Sequence, residues 1–137
     1  MIPTSVLDTS ALQAFLSDEP GAEVVDRALQ AGTAMSLVNW AEVLTLEVRT
    51  GGSVSEFLDR LGAERIVGPD GLLMVEPAIP QDAERVATLE PLTRRAGLSL
   101  ADRFCVATGI RLGLPIFTAD RQWSNVAIPG AAIRLIR

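Results

Sequence analysis

The chain has 137 residues, 48% of them hydrophobic and 21% charged, and 17 acids against 12 cations give a net charge of −5; that is the size and balance of a single domain, residues 1–137. It contains no His, Lys or Tyr and one Cys, Cys105, which excludes an internal disulfide, Cys/His zinc sites, His-dependent triads and the P-loop lysine. Any enzyme here has carboxylates, Arg and water for its acid–base work, with a metal ion the expected addition, while the acidic balance weakly opposes a nucleic-acid partner without excluding it. No apolar run approaches the ~18 residues of a membrane span, and the N-terminus lacks a basic flank and a cleavage site, so a cytoplasmic protein is expected.

The first predicted strand covers residues 4–7 and stops at Asp8. A helix over 9–17 follows, with Leu12, Phe15 and Leu16 at helical spacing. Asp18-Glu19-Pro20-Gly21 breaks it, and a second helix spans 21–31 to Gly32. "TAMSL" reads as the second strand, and 37–50 as a helix apolar nearly all round and therefore buried. Gly51-Gly52 ends that helix, and Ser53 can cap the next, which carries Val54, Phe57, Leu58 and Leu61. "GLLMVE", 71–76, is a third strand; a helical region over 81–95 follows, with a break expected near Pro91. Ser99 opens and Gly113 closes a helix over 98–113, "LPIFT" is the fourth strand, and "AIRLIR" is a fifth at the edge. Strands alternating with helices imply a mostly parallel sheet with helices on both faces, and such sheets bind ligands beyond the carboxyl ends of their strands.

Four acids fall at informative places. Asp8 and Asp120 each follow a strand, where an Asp can simply cap the next helix. Asp102 stands at the third helical position after Ser99, which is a capping-box spacing. Glu42 lies in "LVNWAEVL" between Val38 and Leu46, where a carboxylate is costly unless it is partnered, and Arg49, seven residues on, is one candidate partner. Read jointly, the four offer hard oxygen ligands suited to Mg²⁺ or Mn²⁺, and a metal so held can activate water for phosphodiester cleavage without any His. Ser10 and Thr118 lie beside two of the acids, where their hydroxyls can orient a carboxylate or form turns. Cys105, Trp40 and Trp123 read as core residues, and Asp18, Glu19 and Asp70 as turn residues.

These stretches resemble PIN-domain ribonucleases, in particular the VapC-type toxins of prokaryotic toxin–antitoxin modules. "VLDTSALQAFLSDEPGAE", "NWAEVL", "LSLADRFCVATGIRLGLPIFTAD" and "RQW" carry the likeness in order and spacing along nearly the whole chain. The resemblance implies a three-layer α/β/α fold and a metal-dependent endoribonuclease. It maps the family's four acids onto Asp8, Glu42, Asp102 and Asp120 and its hydroxyl onto Thr118. It also implies a homodimer and a VapB-like antitoxin partner; apolar residues exposed on the first helices are expected to need the dimer's cover. "GPDGLLMVEPAIP" is longer than the family's usual third-strand region, and "SLADR" stands where "SLGDR" is common. The alternative is a PIN-like module that binds RNA or protein without cutting.

Overall fold

The computed structural model describes residues 2–137. Five strands, β1 (Ser5–Leu7), β2 (Thr33–Ser36), β3 (Leu73–Glu76), β4 (Ile116–Thr118) and β5 (Ile133–Leu135), form one sheet in the order β3-β2-β1-β4-β5. Every neighbouring pair is parallel, so the sheet expected to be mostly parallel is wholly so, and "AIRLIR" does supply an edge strand. Helices α1 (Thr9–Leu16) and α2 (Ala22–Ala31) connect β1 to β2, and α3 (Leu37–Arg49) and α4 (Val54–Ala63) connect β2 to β3. Helices α5 (Pro80–Thr93) and α6 (Leu100–Leu112) return the chain from β3 to β4, and a short 3₁₀ helix (Arg121–Asn125) precedes β5.

Alternate side chains of the strands feed two separate cores. Leu7, Met35 and Leu73 pack with Leu12, Val25, Leu29, Trp40, Val43, Phe57 and Leu61 from α1–α4. Val6, Ala34 and Ile116 pack with Leu89, Cys105, Val106 and Trp123 from α5, α6 and the 3₁₀ helix. This is the outcome that right-handed crossovers require: outward steps from β1 to β3 put their helices on one face, and the reversed step to β4 puts its helices on the other. Helix α6 lies close against β4 because Gly109 faces Ile116; a Cβ at position 109 would overlap the Ile116 side chain. Gly113, with φ +68°, adopts the left-handed conformation that ends α6.

Three expectations are corrected. The helix over 37–50 is not buried all round: α3 exposes Leu37, Ala41, Val48 and Arg49 and buries only the stripe of Asn39, Trp40 and Val43. Helix α5 runs through Pro91 to Thr93; the proline forgoes the N–H bond to the carbonyl four residues back, and only two helical residues follow it. Exposed apolar side chains lie on α3 to α6 and β3 (Leu37, Val48, Val54, Leu58, Met74, Leu92 and Leu100) rather than on the first helices.

An internal clamp fixes the α5–α6 layer to the sheet. Arg111 of α6 donates to both carboxylate oxygens of Asp82, at 2.9 and 3.1 Å, and to Glu76 at 2.9 Å. Asp82, only 2% exposed, also accepts from the Ile79 N–H at the start of α5. The fork of a guanidinium suits this two-oxygen contact.

Candidate active site

Strand order reverses between β1 and β4: the chain leaves β1 in one direction across the sheet and reaches β4 on its other side. The crevice beyond the carboxyl ends of two such strands is the usual ligand site of an open parallel sheet. Asp8 is the first residue after β1, and Asp120 lies two residues past the end of β4. Glu42 projects from α3, which follows β2, and Asp102 sits in the first turn of α6, which packs against α3.

Asp8 is the most constrained of the four. It is 2% exposed. One oxygen caps α1 by accepting from the Ala11 N–H at 2.7 Å, and the other accepts from the Thr118 hydroxyl at 2.5 Å. The Ser10 hydroxyl donates to the same carboxylate at 2.8–2.9 Å and accepts from the Ala119 N–H at 2.9 Å. Thr118 in turn accepts from the Asp120 N–H at 3.0 Å. The two hydroxyls flagged by sequence therefore join the end of β1 to the end of β4.

The other acids each have a hydrogen-bond donor of their own. Asp120 accepts from the Gln122 N–H at 2.9 Å and caps the 3₁₀ helix. Asp102 accepts from the Ser99 N–H at 2.8 Å while Ser99 accepts from the Asp102 N–H at 3.1 Å, completing the capping box. Glu42 makes no ion pair with Arg49 among the described residues; it accepts from the Thr9 hydroxyl at 2.6 Å and from Asn39 Nδ2 at 3.4 Å. The capping roles of Asp8, Asp102 and Asp120 are thus real, and they fix where those carboxylates stand.

Burial raises the Asp8 carboxyl to about 6, against the lowering effect of its hydrogen bonds, and the nearby Asp102 charge adds to the rise. Asp102 is raised chiefly by burial, partly offset by its Ser99 contacts, and further by the charges of Asp120 and Glu42. The buried Cys105 thiol is pushed well up by burial and then by Asp8, Asp102 and Glu42, so it stays neutral. The four acids share one region of negative potential, and the ion pairs among the described residues involve none of them. An all-oxygen, uncompensated donor set of this kind fits a hard divalent cation. As placed, no three acids among the described residues are gathered to hold one ion. Each is turned to its own hydrogen-bond donor.

Two residues of this network escape a reading of the sequence. Thr9 opens the helix predicted over 9–17, and nothing in its local sequence marks it as a partner of Glu42. Asn39 is fully buried, with Nδ2 donating to Thr9, Glu42 and the Ala101 carbonyl. Its signal was available: it is an uncharged polar residue inside an otherwise apolar stretch of "LVNWAEVL", three positions before Glu42.

Comparison with known proteins places this geometry in context. Residues 5–129 match the model of the PIN domain family. The chain is similar to VapC ribonuclease Mb0640 of Mycobacterium bovis and to ribonuclease VapC30 of Mycobacterium tuberculosis, each 32% identical over 133 residues covering 93% of this chain and 98% of the relative. Its fold matches the crystal structure of DNA-bound VapBC from Salmonella typhimurium with a TM-score of 0.69 at 16% identity, over 99% of this chain and all of the other.

Proposed function

This chain belongs to the PIN domain family, and from that premise we propose that it is an endoribonuclease, the toxin of a type II toxin–antitoxin pair, whose cleavage depends on Mg²⁺ or Mn²⁺. One observation carries the reading: the charges of Asp8, Glu42, Asp102 and Asp120 bear on one another through Asp102 near the reversal point of the sheet, and none of the four is in an ion pair among the described residues. Those four would hold the ion, which when bound supplies Lewis-acid polarisation of the phosphodiester and acidifies water.

The chain's own residues do the rest. Thr118 and Ser10 fix the Asp8 carboxylate from two sides, so that it presents its charge without rotating. The cap contacts of Asp102 and Asp120 keep their carboxylates at the mouths of α6 and the 3₁₀ helix. Thr9 and Asn39 hold Glu42 on the side of α3 that faces them. Arg49, exposed and without an ion pair among the described residues, lines a groove with Glu42 and offers a cation to the RNA backbone. The proposed assembly is a homodimer silenced by a VapB-like antitoxin; the antitoxin is in keeping with the toxin–antitoxin complexes that share the fold.

The second reading, a PIN-like module that binds RNA or protein without cutting, is favoured by one fact: no three acids stand gathered for an ion among the described residues. Incubating the purified chain with RNA in Mn²⁺ and in EDTA separates the two. Cleavage that appears with Mn²⁺ and stops in EDTA supports the nuclease; binding without cleavage in either supports the module.

A further inference from the structure

We infer that Asn39 is a positioning residue of the candidate site: it sets the Glu42 carboxylate against α6 and so tunes how the acids receive a cation. This inference rests on the metal-dependent reading given above. Asn39 is fully buried, and its Nδ2 reaches Thr9 Oγ1 at 3.3 Å, Glu42 Oε1 at 3.4 Å and the Ala101 carbonyl at 3.2 Å. These three partners belong to three different elements. Thr9 is the first residue of α1 and follows Asp8; Glu42 is on α3; Ala101 is on α6 and precedes Asp102. One amide group thus ties together the segments that carry three of the four acids.

The orientation of the amide is determined by its surroundings. Turned over, its oxygen would face the Ala101 carbonyl and the Glu42 carboxylate with no proton between them, which is repulsive on both sides. With Nδ2 in place, the Thr9 hydroxyl can accept from Asn39 and donate to Glu42 at 2.6 Å, so the contacts run in one direction toward the carboxylate. Glu42 has no other side-chain donor among the described residues, and Arg49 makes no ion pair with it. A Glu has three rotatable bonds, and without these donors a partly exposed one would spread over several rotamers.

The same geometry argues against a role in stability alone. Asn39 Oδ1 is buried without a hydrogen-bond partner, a cost that an apolar residue of similar size would not incur. What the asparagine supplies is at its donor end. Outer contacts of this kind orient the groups that ligate a metal, and their loss typically lowers metal affinity by about 10–100-fold.

The test is the Mn²⁺ affinity of the full-length chain, read from free Mn²⁺ by electron paramagnetic resonance, for Asn39→Ala, Asn39→Asp and Glu42→Ala and for the pairs with Glu42→Ala. Each Asn39 variant is expected to bind Mn²⁺ about tenfold more weakly than wild type. In the Glu42→Ala background, the same changes are expected to add nothing, because Asn39 acts through Glu42. Affinity within twofold of wild type, or an equal loss in both backgrounds, overturns the inference. Where a variant does not fold, the wild-type chain decides: the Asn39 side-chain amide protons should exchange slowly and shift as Mg²⁺ is added. Fast exchange and no shift overturn it. A wild type that binds no Mn²⁺ removes the metal-dependent reading itself, whereas a wild type that binds with Asn39 variants unchanged removes only this inference.

Discussion

The Thr118 hydroxyl donates to Asp8 Oδ2 at 2.5 Å, a bond between residues 110 positions apart that ties the end of β1 to the end of β4. Thr118 is fully buried and also accepts from the Asp120 N–H. Thr118→Val keeps the shape and removes both contacts. The loss should destabilise the fold by about 1–3 kcal/mol, since it leaves a buried acceptor and a backbone donor short of a partner. Thr118→Ser should restore most of it. Urea unfolding of the three proteins checks the order.

The raised Asp8 carboxyl gives a pH dependence of definite sign. Its folded value, about 6, lies above the ordinary 3.8, so the metal-free fold holds this proton more tightly than the unfolded chain does. The stabilisation from that proton is complete below the ordinary value and is lost as pH rises through about 6. It amounts to on the order of 3 kcal/mol at most, at ~1.4 kcal/mol per unit. In EDTA, wild type should therefore lose stability relative to Asp8→Asn across this interval. Mn²⁺ binding, which requires the ionised form, should strengthen over the same interval. Paired unfolding curves across the interval check both.

Asp102 separates a site from a cap. Its pKa is raised chiefly by burial, and next by the charges of Asp120 and Glu42, while its contacts with Ser99 oppose the rise. Asp102→Asn removes the charge and keeps an oxygen for the Ser99 N–H. In EDTA the variant should melt higher than wild type. Mg²⁺ should stabilise wild type by roughly 2.7 kcal/mol at about 100 times its dissociation constant and the variant much less. A role confined to the helix start predicts a lower melting point in EDTA and no effect of metal.

Arg111 tests the frame independently of the site. Arg111→Leu leaves Asp82, which is 2% exposed, without its guanidinium. Stranding a buried carboxylate costs about 3–5 kcal/mol, and replacing Asp82 as well should recover much of it. Guanidinium unfolding of the single and double variants measures this. Cleavage by the folded fraction should change little, because Arg111 stands in the last turn of α6, at the opposite end of that helix from Asp102.

How far the sequence carried depended on the kind of signal. Strands leading to Asp8 and Asp120 were legible because short apolar runs and turn residues act locally, and the resemblance mapped the family's positions onto the four acids and Thr118 already singled out. The exposed side of α3 was not legible: an apolar helix looks the same whether its neighbours cover it fully or on one stripe, and only the packing of α1, α4 and α6 decides that. Glu42 illustrates the same limit. Helical spacing offered Arg49 as its partner, yet the donors that reach it are Thr9, 33 residues away, and Asn39 on the buried side. Asn39 was visible as a polar residue in an apolar run, but its contact with Ala101, 62 residues on, exists only once α3 and α6 meet.

The most direct test of the central claim is the rate at which Asp8→Asn and Asp120→Asn cleave RNA in Mn²⁺, measured beside wild type, with circular dichroism confirming the fold. Each substitution removes a carboxylate charge from the crevice and keeps the shape of the residue. Cleavage by wild type that falls by orders of magnitude in both variants, and that vanishes in EDTA, is the predicted result. Variants that cut RNA as fast as wild type would contradict the account, leaving these acids as helix caps alone.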